Sequence, residues 1–68
     1  MKVYVIKNNK NLYLTKTWSG VKWVKFLYQA KLYKTETNAT KAMEDLVEKS
    51  FRVFRDDLSI VRVIIEED

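Results

Sequence analysis

The 68-residue chain reads as an α+β domain, with one helix packed on one face of an antiparallel sheet in the order β-β-β-α-β-β. Three observations predict this. Short alternating runs rich in β-branched and aromatic residues recur in both halves of the chain. Asn, Ser-Gly or Asp-Asp turn residues separate them. Between residues 35 and 50 the apolar residues fall at helical spacing instead, on a stripe wide enough to bury against a sheet.

"KVYVIK" (2–7) alternates and forms the first strand, and "NNKN" (8–11) turns the chain, because Asn tolerates left-handed backbone geometry. "LYLTK" (12–16) returns as the second strand. "WSG" (18–20) carries the only glycine of the chain, Gly20, which belongs where φ is positive in the second turn. "VKWVKF" (21–26) is a third strand. "LYQAKLYK" (27–34) is a bend followed by a short extended piece at Lys31–Tyr33, or a strand. In "TETNATKAMEDLVEKS" (35–50), Ala39, Ala42, Met43, Leu46 and Val47 make the helix stripe, placing the helix at about 38–49. Thr35 or Thr37 caps it, Glu36 suits the positive end of its dipole, and Asp45–Lys49 is an i,i+4 ion pair. "FRVFR" (51–55) is a fourth strand, "DD" (56–57) a turn, "SIVRVII" (59–65) a fifth strand, and "EED" a solvated acidic tip.

The length allows one domain, residues 1–68, of marginal stability. With no cysteine there is no disulfide framework, and with no histidine either, zinc sites built from those residues are excluded. An apolar fraction of 47% is that of a globular chain. No run is long enough to span a bilayer and no cleavable leader is present, so a soluble cytoplasmic protein is expected.

Chemistry is sparse. Without His or Cys, the nucleophile and acid–base candidates are Ser19, Ser50, Ser59, lysines, tyrosines and solvated carboxylates, none in a catalytic motif. Asp56–Asp57 belongs to a turn rather than a metal site. A single glycine rules out a glycine-rich phosphate loop. No enzyme activity, cofactor or metal is expected.

Charge is informative. Residues 1–35 hold eight lysines and no acid, a sum of +8; residues 36–68 hold five basic and nine acidic residues, a sum of −4. This asymmetry points to an anionic partner for the first half, whereas lysine on strands also serves solubility and edge protection. "TKTWSGVKWVKFLYQAKLYK" (15–34) concentrates five lysines and five aromatic rings. Strand parity groups Val3, Val5, Leu12 and Leu14 as the helix-facing set and Tyr4, Ile6, Tyr13 and Thr15 as the opposite set. Tyr4, Ile6, Tyr13, Trp18 and Trp23 are therefore the candidate interface, occluded by a second copy or a partner or covering one another. Lys16, Lys22 and Lys25 are the candidate anion contacts.

Tyr4–Lys7, Trp18, Ala30–Thr35 and the alanine-bearing helix from Ala39 to Leu46 together resemble small proteins encoded by phages and prophages of Gram-positive bacteria. The resemblance spans residues 4 to about 47 and leaves the 51–65 region aside. It implies an accessory protein made in an infected or lysogenic cell, one that binds and blocks or redirects a host macromolecule, defence systems included. The leading expectation is a non-enzymatic binder of a host protein or protein–nucleic-acid complex. The alternatives are a sequence-tolerant nucleic-acid binder using the lysine and aromatic side chains of the N-terminal sheet, and a structural homodimer.

Overall fold

A computed structural model describes residues 1–50 and 53–66. Strands β1 (Lys2–Asn8), β2 (Tyr13–Thr17) and β3 (Gly20–Val24) are followed by a 3-10 turn at Leu27–Gln29 and helix α1 (Glu36–Lys49). A second 3-10 turn at Arg55–Asp57 leads into β4 (Leu58–Ile64). The strands form one antiparallel sheet in the order β3-β2-β1-β4, with the helix between β3 and β4 in sequence. The α+β class is as expected.

Each turn follows from its residues. Asn8 Oδ1 accepts hydrogen bonds from the N–H groups of Lys10 (2.9 Å) and Leu12 (3.0 Å), and Asn11 takes φ 63°. Asn is one of the few side chains that both closes such a loop and tolerates αL. Gly20 has φ 135° where β3 begins, a conformation that L side chains rarely adopt. The helix starts two residues before the expected boundary. Thr35 is its cap, its hydroxyl accepting from the Asn38 N–H at 3.1 Å, with Glu36 in the first turn. Lys49 and Asp45 pair at 3.2 Å.

The stretch 27–34 resolves into a turn and a wedge. β1 and β2 pair directly only at Lys7 and Tyr13. Beyond that point residues 31–33 occupy the opening between them. The Lys31 N–H donates to the Leu14 carbonyl at 2.9 Å, and Tyr4 and Tyr33 exchange main-chain hydrogen bonds of 2.8 and 2.9 Å.

The expected fourth strand, 51–55, is not a strand where it is described. Residues 51–52 lie outside the described residues, Val53 and Phe54 have no ladder partner, and Arg55 begins a 3-10 turn. Phe54 has extended angles, φ −109° and ψ 140°, yet extended backbone becomes a strand only when another strand accepts its hydrogen bonds. The sheet therefore has four strands and the order is β-β-β-α-β.

The core corrects the assignment of faces. Ile6, Leu14 and Met43 form one buried cluster, with Trp23, Tyr33, Ala42, Leu46, Leu58 and Ile60 packed around it. Ile6 thus lies under the helix, and Tyr4, of the same parity, shares its face. Val3 and Val5 lie on the opposite face with Tyr13, Val24, Val61 and Val63. The reason is register. Lys7 stands opposite Tyr13, so residues of like parity in β1 and β2 share a face, and Ile6 goes with Leu14. Grouping the small aliphatics by size reversed this for β1.

The face away from α1 is not bare. Val3, Val5 and Val24 are buried there, the first 3-10 turn packs on β2, and Ala30 just after it is buried. The proposed apolar patch of Tyr4, Ile6 and Tyr13 does not exist as one surface, because Ile6 is wholly buried beneath the helix.

Burying an isoleucine of this kind contributes roughly 1.5–3 kcal/mol, a large share of what so small a domain holds. Ile6→Ala should cost about 2–5 kcal/mol and leave much of the chain unfolded at 37 °C, read by thermal circular dichroism. Tyr33 offers the opposite case. Its hydroxyl is buried with no hydrogen-bond partner among the described residues, and desolvation pushes its pKa up. The hydroxyl stays protonated in the fold at a pH where the unfolded chain ionises, so stability is full below about pH 10 and falls as pH rises further. Tyr33→Phe should match or exceed wild-type thermal stability at pH 7 and show a shallower loss above pH 10.

Candidate functional site

Several of the exposed large apolar side chains lie on the β2–β3 hairpin and the segment after it, with Met1, Phe54 and Ile64 exposed elsewhere. Trp18, at the hairpin tip, is 100% exposed. Its neighbours Lys16, Thr17, Ser19, Gly20, Val21 and Lys22 are all exposed, so the hairpin end projects from the body. The tip is held by Thr17, whose hydroxyl donates to the Gly20 carbonyl at 3.2 Å and lies 3.2 Å from the Ser19 hydroxyl.

After β3 the chain exposes a second aromatic group. Phe26 and Tyr28 stack with ring centroids 5.6 Å apart and 16° between their planes, and Tyr28 is 82% exposed. Such a stacked pair presents one broad apolar plate rather than two mobile rings. Leu27 and Leu32 add exposed aliphatic surface, and Lys25, Lys31 and Lys34 are exposed between them.

The candidate interface residues separate. Trp18 is at the tip, Tyr13 is half-buried on the face away from α1, and Tyr4, Ile6 and Trp23 lie on the helix side. The two tryptophans have opposite fates because Trp23 sits across the sheet from Leu14, over the core, whereas Trp18 lies in the turn with nothing to pack on. Lys16 and Lys22 lie on opposite faces of the hairpin, since Lys16 pairs with Val21 and Lys22 with Thr15. Lys25 follows β3, next to Phe26. These lysines surround the hairpin and do not form a row. The sequence reading missed Phe26 and Tyr28. The bend expected after Phe26 is there, as the 3-10 turn at 27–29, but the stacking of the two rings across it has no signal in the sequence pattern.

A groove of about 530 Å³ runs between this hairpin and the C-terminal half of α1. Leu14, Val21, Trp23, Ala42, Leu46 and Val53 supply its apolar lining, and Lys16, Asp45 and Lys49 stand at its edge. The charges there offer no catalytic pairing, because Asp45 is already engaged by Lys49 on an exposed helix surface. Among the described residues, no group of three or more His, Cys, Asp or Glu side chains is placed to hold a metal ion. No helix among them is long and apolar enough to cross a membrane.

Comparisons with protein-family models, curated proteins and solved structures find no match to this chain.

The fates of the two tryptophans are separable by experiment. Trp18→Ala should leave the unfolding free energy within about 0.5 kcal/mol of wild type, as expected for an exposed side chain. Trp23→Ala should destabilise by about 3 kcal/mol or more, through lost packing on Leu14 and Ile6. In Trp23→Phe, the remaining indole fluorescence should scarcely change on denaturation.

Proposed function

We propose that the protein is a non-enzymatic binding protein whose contact surface is the hairpin tip together with the Phe26–Tyr28 plate, and whose partner is a host protein with an acidic rim around an apolar recess. The observation that carries this reading is Trp18, a tryptophan with its whole surface in water. It adds nothing to the core. Tryptophan and tyrosine are the residues that most often anchor protein interfaces, entering pockets on the partner. Lysines and no acids across residues 1–35 suit such a recess and speed encounter with it. The setting is that of a small accessory protein in the cytoplasm of an infected or lysogenic Gram-positive cell, where it blocks or redirects a host macromolecule, a defence system among them. It uses no cofactor.

The nucleic-acid reading keeps one supporting observation, the interleaving of exposed lysines with exposed rings. It is the weaker of the two. Tyr4 and Trp23 are turned to the helix side, and Lys16 and Lys22 point to opposite sides of the hairpin, so the rings and lysines expected to hold a single strand do not share one surface.

Affinity capture from host lysate tests the proposal. Wild type should retain a protein partner after nuclease treatment. Trp18→Ala combined with Tyr28→Ala, folded like wild type by circular dichroism, should lose about 2 kcal/mol or more of affinity, roughly thirtyfold. Capture that disappears with nuclease, or falls steeply with salt in the manner of phosphate contacts, would transfer the function to nucleic acid. Capture indifferent to both substitutions would remove this surface from consideration.

A further inference from the structure

The sheet has two free edges, β3 and β4, and they are built differently. β3 is short, opens with Gly20, carries Lys22 and is followed by Lys25. Lysine on an edge discourages another strand from adding to it. β4 has seven residues, LSIVRVI, with no lysine, proline or glycine. Its register against β1 runs without interruption from Lys2–Ile64 to Asn8–Leu58, so no bulge twists this edge away.

The direction of its main-chain groups follows from the ladder. Ile65 exchanges hydrogen bonds with Met1, and Tyr4 spends its N–H and C=O on Tyr33, away from β4. In an antiparallel ladder the bonded pairs alternate. Val63, Val61 and Ser59 therefore bond β1, and the N–H and C=O groups of Ile60, Arg62 and Ile64 point outward. These outward groups have no partner among the described residues. Of the side chains along the strand, Leu58, Ile60, Val61 and Val63 are half-buried, Ser59 and Arg62 are exposed, and Ile64 is 63% exposed.

We infer that the outer edge of β4 is a homodimer site, at which β4 of a second copy adds antiparallel and joins the two sheets. The strand is complementary to itself. A two-fold axis at Val61, its middle residue, sets Val61 against Val61 of the other copy and Ile60 against Arg62, which exchange both main-chain bonds. Ser59 then meets Val63, and Leu58 meets Ile64. Apolar side chains meet on both faces, and the two Arg62 guanidinium groups are not directly opposed. A second copy supplies a strand of matching length and pattern. This site lies across the sheet from β3 and does not depend on the function assigned to the hairpin.

The test is the mass of the full chain in solution across a concentration series, by light scattering or sedimentation, with amide hydrogen exchange on the same samples. The expected result is a rise from 8.1 kDa to twice that mass, with the Ile60, Arg62 and Ile64 amides becoming protected over the same concentration range. Arg62→Pro removes an N–H that makes no bond within the chain and closes the edge. It should retain the circular dichroism spectrum of wild type and stay at the lower mass. If this variant fails to fold, the exchange pattern of wild type decides. A chain that stays at the lower mass up to millimolar concentration overturns the proposal. So does a dimer whose Ile60, Arg62 and Ile64 amides exchange as fast as in the dilute protein, or one that Arg62→Pro leaves intact.

Discussion

Tyr4 and Tyr33 exchange two main-chain hydrogen bonds, and the architecture depends on that exchange. A buried N–H or C=O left unpaired costs about 1–3 kcal/mol, so β1 and β2 cannot separate unless something replaces the ladder between them. Tyr33 does so for Tyr4, and the Lys31 N–H does so for the Leu14 carbonyl. The opening frees the β2–β3 hairpin to project beyond the body. It also fixes where the helix begins, because the Thr35 cap lies two residues after Tyr33. Met43, eight residues past the cap and about 12 Å along the axis, then lies over Ile6 and Leu14. Position in the wedge and position in the core are one constraint.

The same arrangement leaves the charge of the two halves unneutralised by contact. Among the described residues the ion pair is Asp45–Lys49, internal to α1, and no lysine of residues 1–35 is paired with an acid of the second half. The hairpin and the segment after it carry five of the eight lysines of residues 1–35, and the outer surface of the helix carries Glu44, Asp45 and Glu48 beside Lys41 and Lys49. Folding thus turns a sequence asymmetry into a polarised molecule. Such a polarity acts on the rate and orientation of encounter more than on the fold.

Much of this was legible in sequence, and the rest was not for definable reasons. The helix stripe, the Asn turn, the positive φ at Gly20 and the Asp45–Lys49 pair all rest on interactions within a few residues, and the structure contains each of them. The face of β1 rests on a register between strands. Parity says that Tyr4 and Ile6 go together, but only the Lys7–Tyr13 pairing says that they go with Leu14. The missing strand at 53–55 is the same lesson from the other side, since alternation specifies a strand-like surface and cannot supply a neighbour to bond. For the site, sequence gave the lysines and Trp18 their importance but scattered the remaining interface residues. The bend after Phe26 was legible, but the stacking of Phe26 on Tyr28 across it was not.

One helix on a four-stranded sheet leaves three liabilities, and the chain treats each differently. On the face away from α1, Val3, Val5 and Val24 are buried within the chain. The β3 edge is guarded by lysine, which resists another strand without adding stability. The β4 edge has no lysine and a single charge, the exposed Arg62, although it borders the longest ladder among the described residues and carries apolar residues on both faces. An apolar hairpin tip and an open strand edge at opposite ends of one sheet impose different chemistries. On the readings proposed above, the first enters a pocket by shape and burial, and the second bonds the main chain of β4 from a second copy. Because the wedge and β1 stand between them, the two surfaces share no side chain.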